Sequence, residues 1–323
     1  MRAVRMHEQG GPDVLKVVDL PSPEPGPGEV RIRNEAIGLN FLETYQRSGL
    51  YAIPLPTGLG SEAAGVVDAL GEGVTRLKIG DRVGYASTQI GAYAEQHVIP
   101  EWNASLLPAS IDARTAAAAM LKGMTAQFLL HRTWPVQRGD TILVYAAAGG
   151  VGSILVQWAA HLGADVIAAV GSAAKGDTAL KLGAKHVILY REQDVPAEVK
   201  RITGGEGVRV AYDSVGAATF ENTLASIGRL GMFVSYGNAS GPPPAITPLR
   251  LRQQGSIFLT RPDLYDYIAT PAERDATAQS LFDVIGSGAV KIAIGETFPL
   301  DRVADAHRRM SSGETTGSSL LIP

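Results

Sequence analysis

The hydrophobic and polar positions of this chain follow one pattern up to about residue 110 and another beyond it. In the first part, short apolar runs of strand length alternate with turns rich in glycine and proline, such as residues 21–28. This spacing predicts a compact, barrel-like antiparallel β domain. In the second part, apolar runs alternate with segments whose apolar residues recur at helical spacing. Alternating strands and helices predict a parallel sheet covered on both faces, so we expect an α/β protein of two domains.

The same pattern gives the bounds of the predicted elements. A short helix is predicted at 41–49 in the first part. In the second part, strands are predicted at 141–145, 165–170, 186–190, 208–212, 232–236 and 256–260, and helices at 115–120, 121–130, 173–182, 195–202 and 219–229. A further helix begins at Thr270, where Glu273 completes a capping box, and 319–322 is a strand that we expect to rejoin the first domain. The predicted bounds are 1–122, completed by 262–323, for the β-rich domain and 123–261 for the doubly wound domain.

The segment that organises the second domain is 141–152, TILVYAAAGGVG, in which a strand-like run leads into a glycine turn and then a helical pattern. A strand, a glycine turn and a helix in this order form the phosphate-binding corner of a dinucleotide fold. Gly149 would let the backbone approach a pyrophosphate, and Gly152 would let the helix pack closely on the strand. Ala147 stands where the usual motif has its first glycine, so an ordinary strand-to-helix loop is the alternative.

The residues after the second strand of this domain bear on the choice of nucleotide. NAD-binding versions of the fold place a carboxylate about 20 residues beyond the first glycine, where it accepts a hydrogen bond from the ribose 2′-hydroxyl. Here the strand ends at Val170, and Gly171, Ser172 and Lys175 follow without a carboxylate. A hydroxyl and a cation suit a 2′-phosphate, so the sequence predicts NADPH. The alternative is that Lys175 is only a solvated helix residue.

Composition narrows the classes of function. The 323 residues are 45% hydrophobic and 19% charged, and no apolar run approaches the ~18 residues that span a bilayer. We therefore expect a cytoplasmic globular protein without a membrane partner, and the mixed charges, which sum to −3, argue against nucleic acid as a partner. The absence of cysteine excludes disulfides and thiolate zinc sites. The six histidines lack ligand spacing, and His307 is interpreted as a packed helix residue, so no metal site is predicted.

Several blocks of residues occur in the order in which one known family has them. They are residues 38–41 (GLNF), 44–45 (TY), 47–51 (RSGLY), 121–125 (LKGMT), 146–152 (AAAGGVG), 212–216 (YDSVG), 237–241 (GNASG) and 318–323 (SSLLIP). With these blocks the chain resembles the zinc-free quinone oxidoreductase branch of the medium-chain dehydrogenase/reductase superfamily, the zeta-crystallin-like NADPH:quinone reductases. The resemblance implies a GroES-like β-rich catalytic domain, a Rossmann domain that binds NADPH, and a homodimer. The zinc-dependent branch has Gly-His-Glu where this chain has Gly60, Ser61 and Glu62, a difference that argues against a catalytic metal.

The resemblance also implies roles for individual residues. Asn40 and Tyr45 would lie near the nicotinamide and the substrate, and Tyr51 would line the same mouth if the chain turns back. The residues implied to contact the cofactor are Asn40, Tyr45, Thr125, Gly149, Gly150, Val151, Gly171, Ser172, Lys175, Tyr190, Tyr236, Gly237, Asn238, Phe258, Leu259 and Thr260. Plainer alternatives stay open: Asn40 as a turn cap, Tyr45 and Tyr51 as packing residues, and Tyr190 as ordinary strand surface.

The function implied by the resemblance is transfer of a hydride, or of electrons, from NADPH to a quinone without a metal. Hydride addition to a quinone gives an aromatic hydroquinone anion, which a tyrosine, an asparagine or water could stabilise, so no obligatory acid–base residue is expected. Two alternatives stay open. One is a reductase of enones or enoyl thioesters on the same scaffold. The other is a non-catalytic NADPH-binding protein with a crystallin-like or RNA-binding role.

Overall fold

The computed structural model of the protein describes residues 1–323, which divide into two compact units. The first unit comprises Met1–Met124, Ile268–Gly286 and Ile292–Pro323, and the second comprises Thr125–Tyr267 and Ser287–Lys291. The bounds drawn from the sequence, after 122 and after 261, lie a few residues earlier. They also leave the short stretch Ser287–Lys291 in the first unit, because nothing in its composition marks it off.

Fifteen strands and ten α-helices make up the two units. The strands are β1 (Arg2–Arg5), β2 (Lys16–Asp19), β3 (Glu29–Leu39), β4 (Glu62–Leu70), β5 (Arg82–Ala86), β6 (Gln96–Pro100), β7 (Ala104–Leu106), β8 (Thr141–Tyr145), β9 (Asp165–Val170), β10 (His186–Leu189), β11 (Val208–Asp213), β12 (Ile227–Ser235), β13 (Phe258–Thr260), β14 (Ile294–Pro299) and β15 (Ser318–Ile322). The helices are α1 (Phe41–Ser48), α2 (Ala113–Phe128), α3 (Gly150–Leu162), α4 (Ala173–Lys181), α5 (Val195–Ile202), α6 (Phe220–Ser226), α7 (Pro248–Gln253), α8 (Leu264–Tyr267), α9 (Pro271–Gly286) and α10 (Val303–Ser311). None of the helices combines the length and the apolar character that crossing a membrane requires.

The second unit contains one six-stranded sheet in the order β10-β9-β8-β11-β12-β13, with every neighbouring pair parallel. Counted from β8, this order is 3-2-1-4-5-6, the order of the dinucleotide-binding doubly wound fold. After their first residues, Thr141 and Asp165, the central strands β8 and β9 are buried along their length, because helices cover both faces. The predicted doubly wound domain is therefore confirmed. The strand order reverses between β8 and β11, and ligands of such folds bind outside the carboxyl ends of the strands at that point.

The main sheet of the first unit is built around β3, which pairs antiparallel with β4, β6 and β15. Because β15 is the last strand of the chain, the predicted return of the C-terminal residues to the N-terminal sheet is confirmed. β14 joins β15 in parallel, while the other pairs of this sheet are antiparallel. Buried aliphatic and aromatic residues, among them Ile32, Ile37, Tyr85 and Tyr93, form the core of the unit.

The two helices predicted at 115–120 and 121–130 are one continuous helix, α2. Gly123 lies within it without interrupting it. A Cβ on Gly123 would lie 2.4 Å from Cδ1 of Leu281 on α9, so the glycine leaves room for the side chain of Leu281 between the two helices. Both helices belong to the first unit at this point.

The prediction of a helix over residues 219–229 is wrong at its C-terminal end. α6 ends at Ser226, and residues 227–229 already belong to β12, where Ile227 pairs with Val208 of β11. The strand predicted at 232–236 accordingly begins at Ile227. Pairing with β11 outweighs the local helical pattern, which the sequence alone does not reveal.

Candidate functional site

The turn between β8 and α3 has the geometry of a phosphate-binding corner. Gly149 is the N-cap of α3, and the helix begins at Gly150. A Cβ on Gly152 would lie 2.2 Å from the carbonyl oxygen of Ala146, so only glycine lets the first turn of α3 approach the end of β8. Ala146 has a φ of +49°, which is uncommon for alanine. Ala147, which stands at the place of the motif's first glycine, is fully buried. The N–H groups at the start of α3 are therefore positioned to receive an anion.

The segments that follow β9 and β10 lie side by side. Leu189 pairs with Val170, so Gly171 and Tyr190 come directly after the ends of two adjacent parallel strands. A Cβ on Gly171 would lie 3.3 Å from the hydroxyl of Tyr190 and 3.4 Å from Nε of Arg191. The structure thus brings the predicted residues Gly171 and Tyr190 together and adds a guanidinium that was not predicted.

Helix α4 begins beside this pair of strand ends. Ser172 is its N-cap, and the hydroxyl of Ser172 makes no hydrogen bond to the helix. Lys175 lies in the first turn, which contains no acidic residue. Hydroxyls, cations and a helix N-terminus all favour an anionic ligand at this place.

The other predicted cofactor residues of the second unit follow strand ends or form the edge strand. Tyr236, Gly237 and Asn238 come directly after β12, and Phe258, Leu259 and Thr260 are β13, at the edge of the sheet. Thr125 is buried near the end of α2.

Asp213, at the end of β11, fixes the loop between β11 and α6. Its Oδ1 accepts the N–H groups of Val215 at 2.7 Å and Gly216 at 3.1 Å. Its Oδ2 accepts the hydroxyls of Thr219 at 2.7 Å and Thr223 at 2.6 Å. This carboxylate is thus bound to donors of its own unit, which stabilises the loop at the point where the strand order reverses.

In the first unit, Asn40 links β3 to α1 and is the N-cap of that helix. Its backbone N–H donates to Oε2 of Glu43 at 2.7 Å, and its side-chain Nδ2 donates to Oε2 of Glu62 at 3.0 Å. Asn40 therefore stands at the N-cap of a helix, although its side chain makes no capping hydrogen bond. The bond to Glu62 goes beyond a cap, because it ties the amide to a carboxylate on β4.

Tyr45 and Tyr51 lie on either side of the turn that ends α1. Gly49 has a φ of +88° and reverses the chain, and the N–H of Tyr51 donates to the carbonyl of Tyr45 at 3.0 Å. The two rings meet edge to face with their centroids 5.3 Å apart. The segment thus turns back, which was the condition for Tyr51 to lie near Tyr45, and both tyrosines keep part of their surface exposed.

Behind Asn40 lies a group of three buried charged residues, Glu43, Glu62 and Lys122, which we name the carboxylate–lysine cluster. Nζ of Lys122 donates to Oε2 of Glu62 at 2.7 Å, and the N–H of Leu121 donates to Oε1 of Glu62 at 2.6 Å. Oε1 of Glu43 accepts the N–H of Ser61 at 3.2 Å. Each of the two carboxyl groups therefore has internal hydrogen-bond donors at both of its oxygens.

Burial raises the pKa of Glu43 to about 7, from an ordinary value of 4.5. Lys122 opposes this shift in the pKa, and the neighbouring Glu62 adds to it. One ammonium thus faces two carboxyl groups, and the charge of the cluster near neutral pH depends on the proton of Glu43.

His307 lies on α10 and is fully buried. Its Nε2 is 3.3 Å from the hydroxyl of Tyr93, and burial, with Arg47 nearby, lowers its pKa to about 3. The interpretation of His307 as a packed helix residue is confirmed.

Known proteins resemble the chain along its whole length. The family model described as "Alcohol dehydrogenase GroES-like domain" matches residues 26–109, and that described as "Zinc-binding dehydrogenase" matches residues 150–273. "Quinone oxidoreductase 1" of Escherichia coli (strain K12) is 46% identical over 323 residues, which cover 99% of each chain. The chain belongs to the quinone oxidoreductase family of the medium-chain dehydrogenases/reductases. The predicted GroES-like domain is thereby confirmed.

A solved structure and one further relative extend this picture of the quinone oxidoreductase family. The solved structure of the Escherichia coli quinone oxidoreductase complexed with NADPH superposes with a TM-score of 0.98, at 46% identity and with all of both chains covered. The "2-haloacrylate reductase" of a Burkholderia species is 43% identical, over 99% of this chain and 98% of the relative.

The chain departs from the zinc-dependent branch at Ser61, which stands beside the cluster residue Glu62. Oε2 of Glu62 accepts hydrogen bonds from Lys122 and Asn40, and Oε1 accepts one from the N–H of Leu121. No three His, Cys, Asp or Glu side chains of the chain are grouped so that they could hold a metal ion.

Sequence reasoning missed Glu43, Lys122 and Arg191. Glu43 stands three residues after the N-cap Asn40, so the capping-box spacing was a usable signal for it. Arg191 directly follows Tyr190, so a cation next to a predicted phosphate contact was visible. Lys122 carries no such signal, because a lysine in an alanine-rich helix is ordinarily solvated.

Proposed function

We propose that this chain is an NADPH-dependent quinone reductase. The observation that carries the proposal is the end of β9, where a glycine replaces the carboxylate expected for NAD, with two hydroxyls and two cations near it. The names of the relatives support the same function, since the Escherichia coli protein is a quinone oxidoreductase and its structure is a complex with NADPH.

The second unit fits NADPH on its own geometry. We assign the pyrophosphate to the turn formed by Gly149, Gly150 and Val151, at the helix start that Gly152 brings close to β8. The N–H groups of Gly150 and Val151 are the proposed donors, because the N–H of Gly149 donates to the carbonyl oxygen of Ala146 at 2.8 Å. We assign the 2′-phosphate to the surroundings of Gly171, namely Ser172, Lys175 and Tyr190. For the rest of the cofactor we propose Thr125, Tyr236, Gly237, Asn238, Phe258, Leu259 and Thr260, with Asn40 and Tyr45 on the nicotinamide side.

We assign the acceptor to Tyr45 and Tyr51 in the first unit. NADPH, when bound, supplies the hydride. Two aromatic rings held edge to face suit a flat, largely apolar quinone ring. The hydroxyls of these tyrosines and the amide of Asn40 then orient the carbonyl groups and stabilise the charge that develops on their oxygens. Because the reduced ring is aromatic, no side chain has to transfer an essential proton.

We further propose that the reaction proceeds without a bound metal. A serine at position 61 does not replace a histidine ligand. Glu62 already accepts hydrogen bonds from Lys122, Asn40 and Leu121, so its oxygens are committed within the protein.

A second candidate is the reduction of an activated carbon–carbon double bond. The observation that favours it is the 43% identity to the 2-haloacrylate reductase. Such a reduction leaves a carbanion-like centre that must be protonated, so it requires a proton donor that quinone reduction does not. Tyr45 and Tyr51 would be the candidates for that donor.

We also propose that the protein is a homodimer, because β13 leaves one edge of the six-stranded sheet unpaired. The cytoplasmic location expected from the sequence stays a prediction.

One assay tests the proposed function. Oxidation of NADPH is followed with a panel of quinones, enones, a 2-haloacrylate and enoyl thioesters, each with and without exhaustive chelation. We expect the highest kcat/KM with a quinone and no loss on chelation. A preference for an alkene would favour the second candidate. Loss of activity on chelation, together with one tightly bound zinc per chain, would contradict the metal-free proposal.

A further inference from the structure

Arg191 lies at the place where the fold distinguishes between the two nicotinamide cofactors. Because β10 runs parallel to β9 with Leu189 opposite Val170, the residues after β10 lie beside Gly171. Nε and Cζ of Arg191 would be 3.4 and 3.5 Å from a Cβ at position 171. The guanidinium is therefore beside the backbone position at which an NAD-binding fold carries its acidic residue.

The surroundings of Arg191 leave its guanidinium available. The side chain is exposed, and its cation–π contact is with Tyr190, whose ring centroid is 6.0 Å from Cζ. Arg191 forms no ion pair with a carboxylate, in contrast to Arg201 on α5, which is bound to Glu198 at 2.7 Å. An arginine stacked beside a tyrosine presents a planar fork that matches the oxygens of a phosphomonoester.

Gly171 is the second half of this arrangement. Its φ is not in the left-handed region, so its backbone does not require glycine. A carboxylate at this position would have its Cβ in contact with Arg191 and would neutralise the guanidinium by an internal ion pair. The glycine thus leaves open the space that a 2′-phosphate needs in front of Arg191.

We propose that Arg191 is a specificity-determining residue that binds the 2′-phosphate of NADPH, and that Gly171 keeps it free to do so. This inference rests on the proposed use of NADPH. The guanidinium of Arg191 joins Ser172, Lys175 and Tyr190 at this site, and its planar fork contacts two phosphate oxygens at once. A carboxylate at position 171 converts the same site from a phosphate site into a ribose-hydroxyl site.

Equilibrium binding tests the proposal without turnover. The Kd values of NADPH, NADH, 2′,5′-ADP and 5′-AMP are measured by calorimetry for the wild type and for Arg191→Gln. We expect the variant to raise the Kd values of NADPH and 2′,5′-ADP by about 5- to 30-fold, the range of a charge-assisted contact at an exposed site. The Kd values of NADH and 5′-AMP should change by no more than about twofold. Arg191→Lys, which keeps the charge, should recover part of the affinity.

Two further variants sharpen the test. Arg201→Gln, a matched exposed arginine of the same unit, should change none of the four Kd values. Gly171→Asp should lose NADPH affinity and gain NADH affinity, and removal of Arg191 in that background should cost little further NADPH affinity, because the ion pair has already occupied the guanidinium.

The outcomes separate the inference from the proposed function. Suppose that the wild type prefers NADPH. If Arg191→Gln then binds NADPH as tightly as the wild type, or loses affinity for NADH as much as for NADPH, the role of Arg191 is overturned and the proposed cofactor stands. A wild-type protein that binds NADH as tightly as NADPH contradicts the proposed cofactor itself.

Discussion

Nζ of Lys122 lies 2.7 Å from Oε2 of Glu62, and neither side chain is more than 5% exposed. The pair joins α2 to β4 inside the first unit, and the same oxygen of Glu62 accepts the amide of Asn40. A buried ion pair is weak evidence of net stabilisation, but a single partner left alone is costly. The pair therefore affects both the stability of the unit and the position of Asn40.

Lys122→Met tests this pair. It should lower the free energy of unfolding by about 3–5 kcal/mol, because it leaves the carboxylate of Glu62 buried without its cation. The double variant Lys122→Met/Glu62→Gln should recover much of the loss. Arg201→Met, which breaks an exposed pair with Glu198, should cost no more than about 1 kcal/mol. Urea unfolding measures the free energy of unfolding of the three variants. A Lys122→Met protein as stable as the wild type would contradict the cost expected for the unpaired Glu62.

Glu43 makes the stability of the protein depend on pH. Its pKa is about 7 in the folded protein and near 4.5 when unfolded. Below the lower value both states hold the proton. Between the two values the unfolded state releases the proton while the folded state keeps it, so the free energy of unfolding falls by an amount on the order of 3 kcal/mol as the pH rises, and levels off above about 7.

Glu43→Gln removes this titration and should flatten the fall between pH 4.5 and 7 relative to the wild type. Urea unfolding at several pH values measures the difference in slope, which is independent of any constant cost of the substitution. Equal slopes for the two proteins would show that Glu43 titrates normally.

Lys175→Ala tests the cofactor assignment. The wild type should prefer NADPH over NADH by about tenfold or more in kcat/KM, since a hydroxyl and cations replace the usual carboxylate. The variant should lose about 1–3 kcal/mol of NADPH binding and almost none of NADH binding. Steady-state kinetics with both cofactors measure this, and an equal loss for both would contradict a role for Lys175 at the 2′-phosphate.

Much of the second unit could be predicted because its local signals agree with its tertiary structure. The apolar run of β8, the glycine turn and the helix that follows all indicate one corner, and Gly152 packs against Ala146 as predicted. The end of α6 could not be predicted in the same way. Residues 227–229 continue a helical pattern, and only their pairing with β11 makes them strand.

The charged interior of the first unit could not be predicted for a different reason. Glu43, Glu62 and Lys122 stand far apart in the chain, and each taken alone resembles a solvated residue. Only the folding of α1, β4 and α2 brings them together. The resemblance singled out Asn40, but the carboxylate that orients its amide becomes visible only in the structure.

The edge strand β13 gives a prediction about assembly. Phe258 is 55% exposed on a strand with one unpaired edge, and an isologous two-fold dimer would cover it. Light scattering at micromolar concentration should give the mass of a dimer, and Phe258→Glu should shift the mass towards a monomer. A monomeric wild type would contradict the proposed homodimer.

Tyr45 and Tyr51 decide between the two candidate reactions. If the acceptor is an already electrophilic quinone, these tyrosines position it and transfer no essential proton. Tyr45→Phe and Tyr51→Phe, which keep the edge-to-face rings and remove only the hydroxyls, should then each cost less than about 2 kcal/mol in kcat/KM for quinones. Asn40→Ala should cost more, because it removes the amide that donates to Glu62. Steady-state kinetics over the substrate panel measure these effects. A loss of about four decades for either tyrosine would reveal a required proton donor and favour reduction of an activated double bond, where the new carbanion must be protonated.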